Sequence, residues 1–185
     1  MNKIENKDYY NEIHNQIIGW TSNCDTKSSI IIAFVGVLVS IVFTSEYLLG
    51  TIENQIENIV VFWRNDVGKF SMTATLMFLT LLGFLIQMSA CFYYAIQSLK
   101  ANTKCSDDSI LFFGKIVDLS KDEYIDKVIN ITDEEYQKDK LSQIYNCATI
   151  CNDKFKYYNK SISHLIKGLL LFVGFMLFVI ILKSL

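Results

Sequence analysis

Charged side chains stand out at two places in this chain, one of them beside an aromatic ring. Asp25 and Lys27 lie at the end of a polar N-terminal stretch, and Lys154 directly precedes Phe155. A lysine ammonium suits a phosphate group and an aromatic face suits a nucleobase. Placed between helices, these residues would hold an anionic, base-bearing ligand. The same residues also fit a plainer arrangement, in which Asp25 pairs with a lysine and the lysines meet lipid headgroups. Other chemistry finds little support. There is no glycine-rich phosphate loop, zinc-protease helix or nucleophile elbow, so no catalytic residue is expected and the chain reads as no enzyme. The acidic runs Lys121-Asp122-Glu123 and Asp133-Glu134-Glu135 read as solvated helix starts. Cys147 and Cys151 are one helical turn apart, but neither His14 nor His164 stands at ligand spacing to them in sequence. No metal and no cofactor are expected. The five cysteines are an odd number without a secretory signal pattern ahead of them and read as reduced thiols, which implies a reducing compartment for Cys24, Cys105, Cys147 and Cys151.

The elements that must position these residues are set by hydropathy. Of the 185 residues 51% are hydrophobic and 19% charged, and the two classes are segregated along the chain. The stretch from Ile30 to Leu49 is apolar but for Thr44, Ser45 and Glu46. From Phe70 to Leu99 no charge occurs, and a shorter apolar run extends from Gly168 to Leu182. About 20 apolar residues cross a bilayer core as a helix, and the third run reaches across if Lys167 and Lys183 extend to the interfaces. Proline is absent, which suits long unbroken helices. The net charge of −2 gives no electrostatic footprint for a nucleic-acid polymer.

Fold class follows: all-α, an integral membrane protein with three transmembrane helices and a small cytoplasmic helical bundle. The expected organisation is an N-terminal cytoplasmic helix (1–28), a first span (29–49), an external link (50–70), a second span (71–98), a cytoplasmic helical region (99–164) and a third span (165–185). Lysines before the first span and the eleven between Lys100 and Lys167, against Arg64 and Lys69 in the first link, place the N-terminus and the 99–164 region in the cytoplasm and the C-terminus outside.

Thr132 with Glu135 has capping-box spacing and predicts a helix start. Beyond it Leu141, Ile144, Ala148, Cys151, Phe155, Tyr158, Ile162 and Leu165 alternate at intervals of three and four, a seam leading straight into the third span. Such a helix would be about 50 residues, or ~75 Å, long. Tyr10, Ile13, Ile17, Trp20 and Cys24 form a matching seam leading into the first span. Another helix is predicted from about Lys121 to Ile131, and Asp107, Asp108 or Ser109 is expected to cap a short helix before it. Within the spans, Ala33, Gly36 and Ser40 share one face, and Thr80, Gly83, Gln87 and Ala90 another. These faces fit packing among the helices of one chain or assembly of copies, with Gln87 an intramembrane hydrogen-bonding group. A homo-oligomer in contact with the lipid bilayer is expected.

The order of these features resembles the transmembrane effectors of the Pycsar antiphage system. That family's pattern of Trp followed by Asp-x-Lys-small is matched by Trp20 and Asp25-Thr26-Lys27-Ser28. Its Leu-Phe-Phe-Gly stretch is matched by Leu111, Phe112, Phe113 and Gly114, and its last-helix pattern by Gln143-Ile144, Ala148, Ile150 and Lys154-Phe155. Phe155 departs from the Tyr or His of the family pattern, so no ring nitrogen or hydroxyl carries over. The resemblance implies an effector activated by a cyclic pyrimidine mononucleotide (cCMP or cUMP) made by a neighbouring cyclase on infection. It implies that the effector then impairs the bacterial inner membrane and causes abortive infection. It also implies ligand-binding roles for Trp20, Asp25, Lys27, Lys154 and Phe155 and packing roles for Phe112, Phe113, Gly114 and Gln143. Two other classes fit the residues alone: an adaptor whose cytoplasmic bundle docks a protein partner, and a small transporter or channel component. The absence of a charge deep in a span weighs against the last.

Overall fold

The computed structural model describes residues 3–65, 72–100 and 109–184. Cys105, Lys69 and the expected caps Asp107 and Asp108 lie outside them. Among the described residues six helices follow in order: α1 (Lys3–Thr44), α2 (Glu46–Asn65), α3 (Met72–Leu99), α4 (Phe113–Ile116), α5 (Lys121–Asn130) and α6 (Asp133–Ser184). The fold is all-α, with no strand among the described residues. Three helices among the described residues are long and apolar enough to cross a membrane, namely α1, α3 and α6. In a bilayer the backbone must satisfy its own hydrogen bonds, and a helix does so within a single segment.

The chain divides into two units. The first comprises Met1–Thr26 with Ser98–Lys156, and the second Lys27–Gln97 with Tyr157–Leu185. Helices α1 and α6 each contribute residues to both.

Side chains recurring every three or four residues build the second unit's core. Ile31, Val35, Leu38 and Val42 of α1 meet Met77, Leu81, Phe84, Met88, Cys91 and Ala95 of α3 and Phe175 and Val179 of α6. Helices α3 and α6 run antiparallel: Gln87 lies against His164, Gly83 against Leu171 and Tyr94 against Tyr157. The His164 Nδ1–H donates to Gln87 Oε1 at 2.7 Å, because an amide oxygen can only accept. Tyr94 stacks on His164 and on Tyr157, and the Lys160 ammonium sits over both tyrosine rings. This arrangement suits a membrane interface, where aromatic rings and lysine stems bridge apolar and wet layers.

The apolar run through Leu49 is not one helix. It breaks at Ser45, whose hydroxyl accepts from the Leu48 N–H at 3.3 Å and so caps α2. Leu48 is buried against the core and Ile52 packs beside it, while Glu53 and Glu57 are exposed. The stretch read from sequence as a link is thus largely an amphipathic helix. The small residues Ala33, Gly36 and Ser40 also differ from an intramolecular packing role. All three are exposed, and a Cβ at Gly36 would meet nothing within 4 Å.

Gly168 is the close-approach glycine. A Cβ there would overlap the Met88 methyl and lie 3.3 Å from Gln87 Cβ. Small residues let membrane helices come together. Met88 has a flexible end that can swing aside, so Gly168→Ala should cost under about 1 kcal/mol, whereas Gly168→Leu overpacks the contact and should cost about 1–3 kcal/mol. Thermal unfolding of the detergent-solubilised chain checks this order, and equal melting of the two variants would refute it.

Candidate functional site

The first unit is built on a parallel pairing of α1 and α6. Ile17, Ile144 and Cys151 are buried between them, with Tyr10, Ile13, Cys147, Ala148 and Phe155 packed alongside. Two expected seam positions lie off this contact. Leu141 is exposed, and its turn instead turns Gln143 and Ile144 inward. Trp20 is 57% exposed, and the buried Cys24 lies 3.5 Å from Ser98 Oγ of α3. A strict heptad drifts by about 20° per repeat against a straight helix, which is enough to carry an end residue to the flank.

The start of α6 is fixed by a capping box. The Thr132 N–H donates to Glu135 Oε2 at 3.0 Å, and the Glu135 N–H donates to Thr132 Oγ1 at 3.3 Å. Helix α5 has the same device in Ser120 and Glu123, a Ser-x-x-Glu spacing that is equally visible in the sequence. The caps' backbone N–H bonds, followed by their hydroxyls, hold both glutamates below the ordinary carboxylate range.

The 109–114 segment is clamped to α6. Ser109 Oγ accepts from the Leu111 and Phe112 N–H groups and from Gln143 Nε2 at 2.8 Å, and the Ile110 N–H donates to Asp139 Oδ2 at 3.0 Å. Ser109 therefore organises a turn, while α4 begins after Phe112 without a side-chain cap. Gly114 leaves room for the Phe112 ring, which a Cβ would approach to 2.7 Å. Phe113 is 65% exposed.

A groove of about 310 Å³ is lined by Ile17, Trp20, Ala148, Cys151, Asn152 and Phe155. The two aromatics singled out in the sequence, 135 positions apart, thus border one space, whose volume is near the lower end of typical ligand cavities. Beyond Trp20 on α1 and directly before Phe155 on α6, Lys154 Nζ donates to Asp25 Oδ1 at 2.5 Å. Lys154 is only 9% exposed, and the Asp25 side chain is 38% exposed. Burying an ammonium is costly unless a carboxylate partners it, so the pair explains how Lys154 is accommodated in the helix contact. Lys27 is exposed and belongs to the second unit, as does Gln87.

A second polar cluster was not legible from spacing. Lys140 Nζ lies 3.3 Å from His14 Nδ1, and His14 Nε2 lies 3.8 Å from Cys147 Sγ. An ammonium can only donate, so Nδ1 accepts and the proton sits on Nε2, facing the thiol. Residues 14 and 147 meet only because α1 and α6 pair in this register. Burial, and then the Lys140 charge, lower the His14 pKa; burial raises that of the Cys147 thiol against the opposing pull of Lys140. Among the described residues no three His, Cys, Asp or Glu side chains gather as a metal site.

The comparisons with known proteins bear on this arrangement. A family model described as the Pycsar effector protein domain matches residues 9–182. The chain belongs to the Pycsar effector family. It is 31% identical over 167 residues to the Pycsar effector protein GmPycTM of Gulbenkiania mobilis, with 83% of each chain covered. No solved structure matches it.

His14 gives a pH dependence. Its folded pKa lies below the ordinary 6.5, so the unfolded chain binds the proton first on acidification. The stabilisation is fully present above pH 6.5 and is lost as pH falls through the lower, folded value. The melting temperature of the solubilised full chain should therefore drop between about pH 7.5 and about pH 5.5, and His14→Gln should reduce that drop. Identical pH profiles for the two proteins would contradict this.

Proposed function

We infer that this protein is a non-enzymatic antiphage effector. It senses a cyclic pyrimidine mononucleotide, cCMP or cUMP, made on infection, and responds by impairing the inner membrane, which arrests or kills the infected cell. Family membership supports the effector role. The observation that carries the sensing role is the groove bordered by Trp20 and Phe155, with Lys154 adjoining Phe155. A pyrimidine ring stacks on aromatic faces, and its phosphodiester needs a cation. The ligand is an activator, and no cofactor takes part.

The proposed transmission runs through α1 and α6, which are unbroken in both units. A ligand bound between their cytoplasmic parts favours one packing of the pair, by its difference in affinity for the two packings. The same helices extend into the apolar segments. The exposed small-residue face of α1 at Ala33, Gly36 and Ser40 supports assembly into a homo-oligomer in the bilayer, since close approach of helices needs small side chains.

A second reading has its own observation. Phe113, Val117 and Ile129 are exposed large apolar residues in the first unit, as expected of an adaptor docking a protein partner. The two readings separate in a reconstituted system. Purified protein in dye-loaded liposomes should release dye on addition of cCMP or cUMP, and Lys154→Ala should insert normally yet release none. An intact dye signal for the wild type with both nucleotides would remove the sensing role, and full leakage by Lys154→Ala would remove Lys154 from it.

Lysine distribution supports an orientation with a cytoplasmic N-terminus and an external C-terminus in the inner membrane. An alkaline phosphatase fusion after Thr132 should be inactive, and an active fusion would reverse this topology.

A further inference from the structure

We propose that Asp25 occupies the place on Lys154 that the ligand's anionic group takes on activation, so that the Asp25–Lys154 pair is the resting-state latch of the sensor. This inference rests on the ligand-sensing role argued above and assigns its regulation. Lys154 is almost wholly buried, its ammonium lies against Asp25 Oδ1, and Phe155 beside it borders the Trp20 groove. A base stacked between Trp20 and Phe155 brings a negative charge to this end of the groove. The cation placed to meet that charge already holds a carboxylate. Two anions against one poorly hydrated ammonium repel each other, and the low local dielectric magnifies the repulsion.

The exchange is asymmetric in a way that favours displacement of Asp25 rather than of Lys154. The Asp25 side chain is more than one-third exposed, so its carboxylate already meets water while it holds Lys154. Lys154 is 9% exposed and has no comparable access to water. Because Asp25 belongs to α1 and Lys154 to α6, the exchange replaces an ion pair that ties the two helices together. The ligand thereby acts on the helix pairing itself as well as filling the groove.

The test uses the full chain in liposomes, with cCMP and cUMP as the probes. Asp25→Asn removes the competing charge and should lower the nucleotide concentration for half-maximal dye release by about tenfold, within the usual range of coupling between linked equilibria. The charge-swapped double variant, Asp25→Lys with Lys154→Asp, restores an ion pair of opposite polarity. It should insert with wild-type helicity by circular dichroism and release no dye with either nucleotide, since an aspartate at position 154 rejects an anion. If the Asp25→Asn curve superimposes on the wild type or shifts to higher concentration, the latch is refuted. If the double variant responds as the wild type does, the pair is a structural tie and the latch is likewise refuted. A wild type that responds while Asp25→Asn does not shift leaves the sensing role standing and removes only the latch; a wild type silent to both nucleotides removes both.

Discussion

An ammonium hidden from water needs a carboxylate, and in this protein that requirement joins α1 to α6. Lys154 lies nine-tenths buried where the two helices pair, and Asp25 supplies the opposite charge from across the contact. The apolar seam of Ile17, Ile144 and Cys151 provides non-directional attraction between the helices. The ion pair adds a condition that slippage cannot meet. A shift of either helix by one residue would separate Asp25 from Lys154, and it would also part His14 from Lys140 and Cys147. Polar contacts of this kind specify register more than they add stability. The groove bordered by Trp20 and Phe155 exists because that register is held.

The remaining parts of the first unit converge on the same helix. Asp139 and Gln143, one turn apart on α6, hold the Ser109–Phe112 turn, and Gly114 lets the Phe112 ring fold back over the start of α4. The short motifs that resemble the family pattern are therefore linked physically: Gln143 reaches the segment carrying Leu111 to Gly114, while Lys154 reaches the segment carrying Asp25. On the proposed reading, α6 is the element on which ligand, latch and membrane segment meet.

Much of the fold was legible because its determinants are local or periodic. The three apolar runs, the Thr132 capping box and the unbroken course of α6 depend on residues close in sequence. The Ser120 box, too, depends on a local Ser-x-x-Glu spacing. What escaped the sequence depends on facing side chains. How far Trp20 turns toward the flank of the pairing depends on helix rotation, and periodicity alone does not resolve it. The break at Ser45 was hidden because a hydroxyl within an apolar run can serve as a helix residue or as a cap. The exposed position of Ala33, Gly36 and Ser40 could not be read from spacing, since a small-residue face serves equally for contacts within and between chains. The His14–Cys147 approach joins residues 133 positions apart and has no local signature. The partnership of Asp25 with a lysine was legible as chemistry, but the choice of Lys154 was fixed only by the helix register.

On the proposed reading, a ligand changes the packing of α1 against α6 within the first unit. Spin labels at the exposed positions Asn15 on α1 and Tyr145 on α6 would measure it directly by double electron–electron resonance in liposomes. Adding cCMP or cUMP should move the distance distribution to a new maximum, in proportion to the fraction of dye released. A distribution unchanged by a nucleotide that does cause leakage would contradict it.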